Sequence, residues 1–493
     1  MLRRITIDEL HGRRWELLAL TSVGAFMTPL DGSIVSVALA KMGPALHLSF
    51  GASIWVQAAY LLATAVLLVP LGRLADHYGR VHFYLAGIVI FTLGSLLAGL
   101  STSGLLLIVS RIIQGSGGAL LTATSAAIVT AVFPPRERGR ALGINVMAVY
   151  IGLSVGPVIG GQIVDHLGWR WIFFVNLPIG LVVFLLGWLL MPRGERVDKK
   201  APRLDLPGSG LQAGALICLL VPLTFASEWG WVAPRTVALL IVSVLGFAAF
   251  VYRERRVKNP LLDMALLLHN RLFAAANAAA LLNYMAMYAV SILTAIYLEV
   301  VRGKSAGVTG LIMLAQPAVQ AVVSPLAGGL SDRIGSRVLS TLGMVLTAAG
   351  MVMLAFTSAT AGIPHVMGAL ALVGLGLATF SAPNTSAIMG SVEKRQLSLA
   401  SAFLGTMRVT GMALSVALLG GIAASKLGRA GSRILYTHSF GGTINAVDRY
   451  TTGYKYAMLS GAGLALVGAL ASLTRGARTP LTDVAHKPLA SDE

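Results

Sequence analysis

The chain has 493 residues, of which 56% are hydrophobic and only 12% charged, about half the charged share of soluble domains. With a mean hydropathy of +0.78, this excludes a soluble enzyme and predicts many membrane spans, each of about 20 apolar residues. The net charge of +18 sits in short clusters between apolar segments, which argues against a nucleic-acid partner and reads as topogenic charge.

Six apolar segments come first, at about 17–39, 54–72, 82–101, 104–132, 141–163 and 171–191. The residues before them, Met1 to Glu16, have mixed charge and no cleavable signal pattern, so span 1 is expected to be an uncleaved anchor. A charged stretch from Pro192 to Pro207 follows, then two more segments at about 208–227 and 236–252. Beyond a second charged stretch, Arg253 to Arg271, lie the last six, at about 273–300, 307–329, 338–358, 364–389, 398–423 and 453–474. The expected organisation is a six-helix bundle (1–191), a linker region with two extra helices (192–272), a second six-helix bundle (273–475) and a disordered tail (476–493). The single cysteine, Cys218, lies within a span. It offers no disulfide and no thiolate metal site, and no metal or cofactor is expected.

The Lys/Arg bias orients the chain. With the N-terminus inside, inner segments hold 26 Lys+Arg against 10 in outer ones, and only Arg111 and Arg408 lie within spans. Both termini are therefore expected in the cytoplasm. The longest outer loop, about 424–452, is polar, with no fold legible in it.

An internal repeat supports the six-plus-six division. After span 2 the chain reads Gly72-Arg-Leu74-Ala75-Asp76-His-Tyr-Gly79-Arg80, and after span 10 Gly328-Gly-Leu330-Ser331-Asp332-Arg333-Ile-Gly335. The offset is 256 throughout, as in transporters built of two six-helix halves. Gly72 and Gly79 permit tight turns. Asp76, and its counterpart Asp332, can latch one conformation by meeting a helix N-terminus or, for Asp76, Arg80. A solvated turn with a charge pair is the plainer alternative.

The first copy resembles the loop signature of the major facilitator superfamily. Leu30-Asp31-Gly-Ser-Ile-Val-Ser-Val37-Ala38-Leu39 in span 1 resembles the first-helix motif of its fourteen-span drug:proton antiporters. Leu107-x-x-x-Arg111-x-x-Gln114-Gly115-x-Gly117 in span 4 resembles the proton-transfer motif. Gly152-x-x-x-Gly156-Pro157-x-x-Gly160-Gly161 in span 5 resembles the antiporter motif, and Trp169 to Gly180 is similar to the same subfamily. The resemblance implies an all-α membrane protein of the major facilitator fold, with two six-helix bundles, two additional central helices and both termini cytoplasmic. It implies a proton-coupled antiporter, not an enzyme, that exports small amphipathic or lipophilic compounds across a bacterial or archaeal inner membrane by alternating access. Its partners would be small molecules, protons and membrane lipids, and a monomer is expected. A proton-coupled uptake symporter and an exporter of lipid or envelope components remain alternatives.

Residue by residue, Gly152, Gly156 and Gly160 share one helix face and permit close packing, while Pro157 favours a bend. Asp31 and Arg111 each lie about seven or eight residues from the outer end of their spans, roughly 10–12 Å deep. A charge at that depth marks a functional site by default. Burial and a neighbouring cation move a carboxylate's proton affinity in opposite directions, so Asp31 is read as the proton site and Arg111 as its tuner. A static ion pair is the alternative. Arg408, in span 13, has no acidic residue at its depth and is open to three readings: it faces the cavity, binds a carbonyl, or attracts an anionic substrate. Glu299 is a possible second proton site or a solvated interfacial glutamate. Several relatives in the family it resembles that export cationic drugs carry acidic residues deep in the second half. None is evident in this chain, which argues against a dicationic substrate. Candidate cavity residues are Gln57, Tyr60, Asn145, Asn283, Tyr284, Tyr288, Gln316, Gln320 and Asn384, with helix–helix hydrogen bonding as their alternative role.

Overall fold

A computed structural model of the chain describes residues 13–134, 137–191, 205–257, 260–261, 264–358, 361–392, 397–434 and 444–475. The proposed tail 476–493 and most of the first charged stretch lie outside these residues. Fourteen helices are long and apolar enough to cross a membrane. Spans 1 to 6 are Arg14–Ala45, Phe50–Tyr78, Arg80–Gly99, Gly104–Val132, Arg140–His166 and Trp171–Leu190. Spans 7 and 8 are Leu206–Ala226 and Pro234–Glu254. Spans 9 to 14 are Arg271–Val301, Ala306–Ser331, Ser336–Ala355, Ile363–Gly390, Ala400–Leu427 and Val447–Leu473. No strand occurs among the described residues. An even number of crossings puts both ends of the helical array on one face, the proximal face below; the other is the distal face.

The helices start and stop where the chain supplies hydrogen-bonding partners for their free ends. Ser49, Ser103, Asn270 and Ser305 cap spans 2, 4, 9 and 10, each side-chain oxygen accepting from a backbone N–H three residues on. Gly79 and Gly335, equivalent glycines of the loop repeat, end spans 2 and 10 at φ 109° and 89°. Each donates its N–H four residues back, to Ala75 and Ser331, in a backbone region that side chains disfavour. Most helices overrun their apolar cores by several residues. The largest overrun falls in the segment expected as an outer loop: the helix of span 13 runs to Ile434, and that of span 14 begins at Ile444.

Equivalent spans pack alike in the two halves. Span 1 lies on span 5, span 3 on spans 4 and 6, and span 2 on span 4; span 9 lies on span 13, span 11 on spans 12 and 14, and span 10 on span 12. Span 7 packs against spans 2 and 13, where the halves meet, while span 8 packs on span 7. Arg253 grips Asp205 with two nitrogens, Nη2 at 2.7 Å and Nε at 2.9 Å, tying the proximal ends of spans 7 and 8. The halves touch along two lateral seams, and between them span 9 meets span 1. The seam of spans 2 and 13 runs from Ile54 and Gly420 to Leu68 and Gly405. That of spans 5 and 10 is packed at its distal end, where Gly161 lies against Ala306 and Gly310 against Pro157. Asp165 of span 5 accepts from the backbone N–H groups of Gly307 at 2.7 Å and Ala306 at 3.1 Å, capping span 10 across the seam. Nearer the proximal face Gly143 and Gly329 look onto open space. The seam of spans 5 and 10 is thus packed distally and looser proximally.

Candidate functional site

Asp31 lies two residues after Pro29, inside the helix of span 1, and is 1% exposed. Its carboxylate accepts from three side chains: Arg111 Nη1 at 2.5 Å, Gln114 Nε2 at 2.8 Å and Asn176 Nδ2 at 3.1 Å. The fully buried Arg111 also donates to Gln114 Oε1, to the Val56 carbonyl at 3.3 Å and to Gln57 Oε1 at 3.4 Å. The Tyr60 ring lies 4.3 Å from its guanidinium carbon, and Phe173 closes the other side at 5.8 Å. Two opposite charges in a dry interior are tolerable only with good geometry and satisfied lone pairs, and this cage supplies both. Residues on spans 1, 2, 4 and 6 build it, and it reaches the other half: Gln57 Nε2 donates to the Tyr288 hydroxyl of span 9 at 3.0 Å.

Local structure explains how these groups converge. Arg111 and Gln114 are three residues apart on span 4, hence on one face. Span 6 breaks between Phe174 and Asn176, and Asn176 opens the longer helix, its amide bridging Asp31 and Ser95 Oγ at 3.0 Å. Ser95 in turn donates to the Phe173 carbonyl. The span 5 glycines let span 1 approach: Gly152 lies 2.7 Å, by the position of an added Cβ, from the Phe26 carbonyl, and Gly156 lies directly against Ser33.

The major facilitator superfamily model matches residues 21–252 and 276–490. The chain belongs to that superfamily. It is 37% identical over 422 residues to the multidrug resistance protein Stp of Mycobacterium tuberculosis, covering 84% of this chain and 77% of that protein. It is 32% identical over 415 residues to the riboflavin transporter RibZ of Clostridioides difficile, covering 84% and 89%. The fold matches the inward-facing, unoccupied structure of a bacterial homologue of the human lysosomal transporter Spinster, with a TM-score of 0.66 at 16% identity over 94% of this chain and 97% of that one. The protein is thus a multi-pass membrane transporter of this superfamily, with relatives of the drug-efflux type.

The other expected residues divide. Asp76 pairs with Arg80 at 2.7 Å rather than with a neighbouring helix end, half-exposed, and Arg80 also reaches the Ala127 carbonyl of span 4. The Asp332 side chain lies outside the described residues. Gly72 packs on Ala123 of span 4. Gln57, Tyr60 and Tyr288 belong to the cage around Arg111. Asn145 donates to Ser125 Oγ at 2.9 Å, a bond between spans 5 and 4. Asn384 accepts from buried Arg475 at the proximal end of the second half, where burial pushes that guanidinium down to about 10. Asn283 is fully buried and makes no hydrogen bond through either amide atom, nor does Gln320 through Nε2. Gln316 is also buried, its backbone against Gly374 of span 12, and Tyr284 is half-buried beside Gly411. Glu299 lies in a π-helical turn, Tyr297–Val301, at the distal end of span 9. Both its carboxylate oxygens are buried without a hydrogen bond, in the fields of Lys41 and Asp165.

Sequence reasoning missed Asn176, Ser95 and Asp165. Asn176 stood inside a quoted motif, but nothing in linear order tied it to Asp31, 145 residues away. Asp165 reads in sequence as a loop acid and gains its role only where span 10 begins beside it.

Proposed function

We propose that this protein is a proton-coupled antiporter that exports small amphipathic or lipophilic compounds across a bacterial inner membrane, with both termini in the cytoplasm. The observation that carries the reading is the buried Asp31 carboxylate, held by Arg111, Gln114 and Asn176 and linked to the opposite half through Arg111, Gln57 and Tyr288 in turn. A protonatable group so placed links its charge to how the halves meet. The cage supplies the carboxylate with three donors, one of them cationic, as suits the moment when a proton has left and the protein meets cytoplasmic substrate. Alternating access would then break the distal seam at Gly161, Gly310 and Asp165 and close the proximal one, with Asp76 and Arg80 changing partners and Asp332 acting in the second half. Glu299, beside that seam, is a second proton site in this scheme. The buried amides of Asn283, Gln316 and Gln320, with Tyr284, supply the polar groups of the substrate cavity. Export is supported by the Gly152–Gly161 motif and by the relative named for multidrug resistance; the riboflavin transporter is why direction must be tested.

The test is substrate-induced proton movement in everted vesicles with an acid interior and a pH-sensitive dye. We expect lipophilic compounds to dissipate the gradient with the wild type and not with Asp31→Asn. Equal dissipation by both would remove Asp31 from coupling, and substrate accumulation independent of the gradient would overturn antiport.

A further inference from the structure

Charge in the membrane interior is unequal between the halves. In the first half Asp31 and Arg111 cancel. In the second, Arg408 stands on span 13 eight residues in from Ala400, about 12 Å at 1.5 Å per residue. It makes no hydrogen bond, ion pair or ring contact with a described residue. A cation at that depth is kept only where it faces a polar cavity or a partner.

The packing of span 13 shows where Arg408 lies. Gly405 and Val409 meet span 2 at Leu68 and Ala65. Gly411 meets span 9, where an added Cβ would stand 2.7 Å from the Leu281 carbonyl. Gly421 meets Leu223 of span 7, on the outside of the bundle. At about 100° per residue, Arg408 falls on the arc between the span 2 face and the span 9 face, turned away from span 7. That arc borders the cleft between the halves, and the residue is partly buried there. Asn283 on span 9 and Gln320 on span 10 add buried amide atoms without protein partners. A cation beside the apolar contacts of Ala65, Leu68 and Val409 fits an amphipathic ligand with one negative group.

We propose that Arg408 is an anion subsite and that preferred substrates are lipophilic or aromatic compounds bearing one carboxylate or ionised phenol. The inference rests on proton antiport and adds a charge balance to it. Exchange of one proton for one monoanion moves two charges in the same sense per cycle. Exchange for a neutral compound moves one. Efflux of the acid should therefore respond more steeply to membrane potential than efflux of an uncharged analogue.

The experiment uses a phenol-O-methylated hydroxyxanthene dye, whose one ionising group is its carboxyl, and the uncharged methyl ester of that dye, with the full-length protein as wild type, Arg408→Gln and Arg408→Lys. Binding to purified protein is read by fluorescence polarisation, and uptake in proteoliposomes at set pH and potassium-diffusion potentials. The wild type should bind the acid about tenfold more tightly than the ester, the scale of one charge-assisted hydrogen bond. Arg408→Gln should lose that preference with ester binding unchanged, and Arg408→Lys should keep part of it. Unaltered preference in Arg408→Gln overturns the subsite, as does an equal loss for both dyes in protein that elutes and melts like the wild type. Arg408-dependent binding without proton-coupled uptake leaves the subsite standing and sinks antiport. Coupled, Asp31-dependent uptake of both dyes without acid preference does the reverse.

Discussion

In the first half Gly94 packs on Gln114 and Gly117 on Phe91; in the second Gly350 packs on Val373 and Gly376 on Thr347. Likewise Gly152 meets Phe26 and Leu30 of span 1, and Gly411 meets Leu281 and Met285 of span 9. These matched contacts align the halves residue by residue. They set Leu370 opposite Arg111, Val373 opposite Gln114 and Ala286 opposite Asp31. They also set Val149 opposite Arg408. Backbone packing is shared, held by small residues that let helices approach closely where lipid gives no hydrophobic drive to association. Polarity is not shared: among the described residues the first half carries a closed, neutral charge cage, while the second carries Arg408 at the cleft and the buried Glu299 carboxylate at its distal end. In the scheme proposed above, this difference divides the work of a repeated scaffold, with the proton handled in one half and the substrate's charge met in the other.

The comparison breaks most severely at Arg111. Arg111→Leu leaves a buried carboxylate without its cation, a loss of about 3–5 kcal/mol. We expect little folded protein by gel filtration, and recovery of folding without transport in the double variant Asp31→Leu/Arg111→Leu. If the single variant folds and exports normally, the cage is not the core of the site. Asn176→Ala removes one hydrogen bond to a charged group, about 1.5–3 kcal/mol, and should slow proton-coupled efflux severalfold while a proximal control such as Asn384→Ala does not. An unchanged rate would make Asn176 a bystander. The alignment of the halves is tested by building the missing pair. Leu370→Arg should destabilise, and adding Ala286→Asp should restore about 0.5–3 kcal/mol, read as a melting-temperature cycle. Additive effects would mean that the two positions do not face each other.

The smallest effect belongs to the partly exposed pair of Asp205 and Arg253. The Arg253 guanidinium holds the Asp205 carboxyl below its ordinary value. The pair's stabilisation is present above the unfolded carboxyl's range, near 4, and is lost as pH falls through the folded value. Asp205→Asn should lower stability by about 1 kcal/mol or less at neutral pH, and the difference from wild type should vanish in acid.

Fourteen spans were legible because a helix crossing hydrocarbon must satisfy its own backbone and be apolar for about 20 residues, a demand written locally. The loop repeat was legible because Gly79 and Gly335 need positive φ. Asp31 and Arg111 were legible as lone charges in apolar runs, and their common depth could be counted in residues. Their surroundings could not. Asn384 and Asn145 look in sequence like cavity residues, yet each bonds a neighbouring helix, because an amide in a span reads the same whichever way it faces.

By itself, then, the sequence determined the number of spans and the pair of charges buried among them, since each follows from the cost of placing polar groups in lipid. Only the tertiary structure decided that Asn176 completes the cage, that Asp165 closes the distal seam onto span 10, and that Arg408 is left uncompensated beside the cleft. Those are contacts between residues far apart in the chain, set by the helix faces that the glycines bring together.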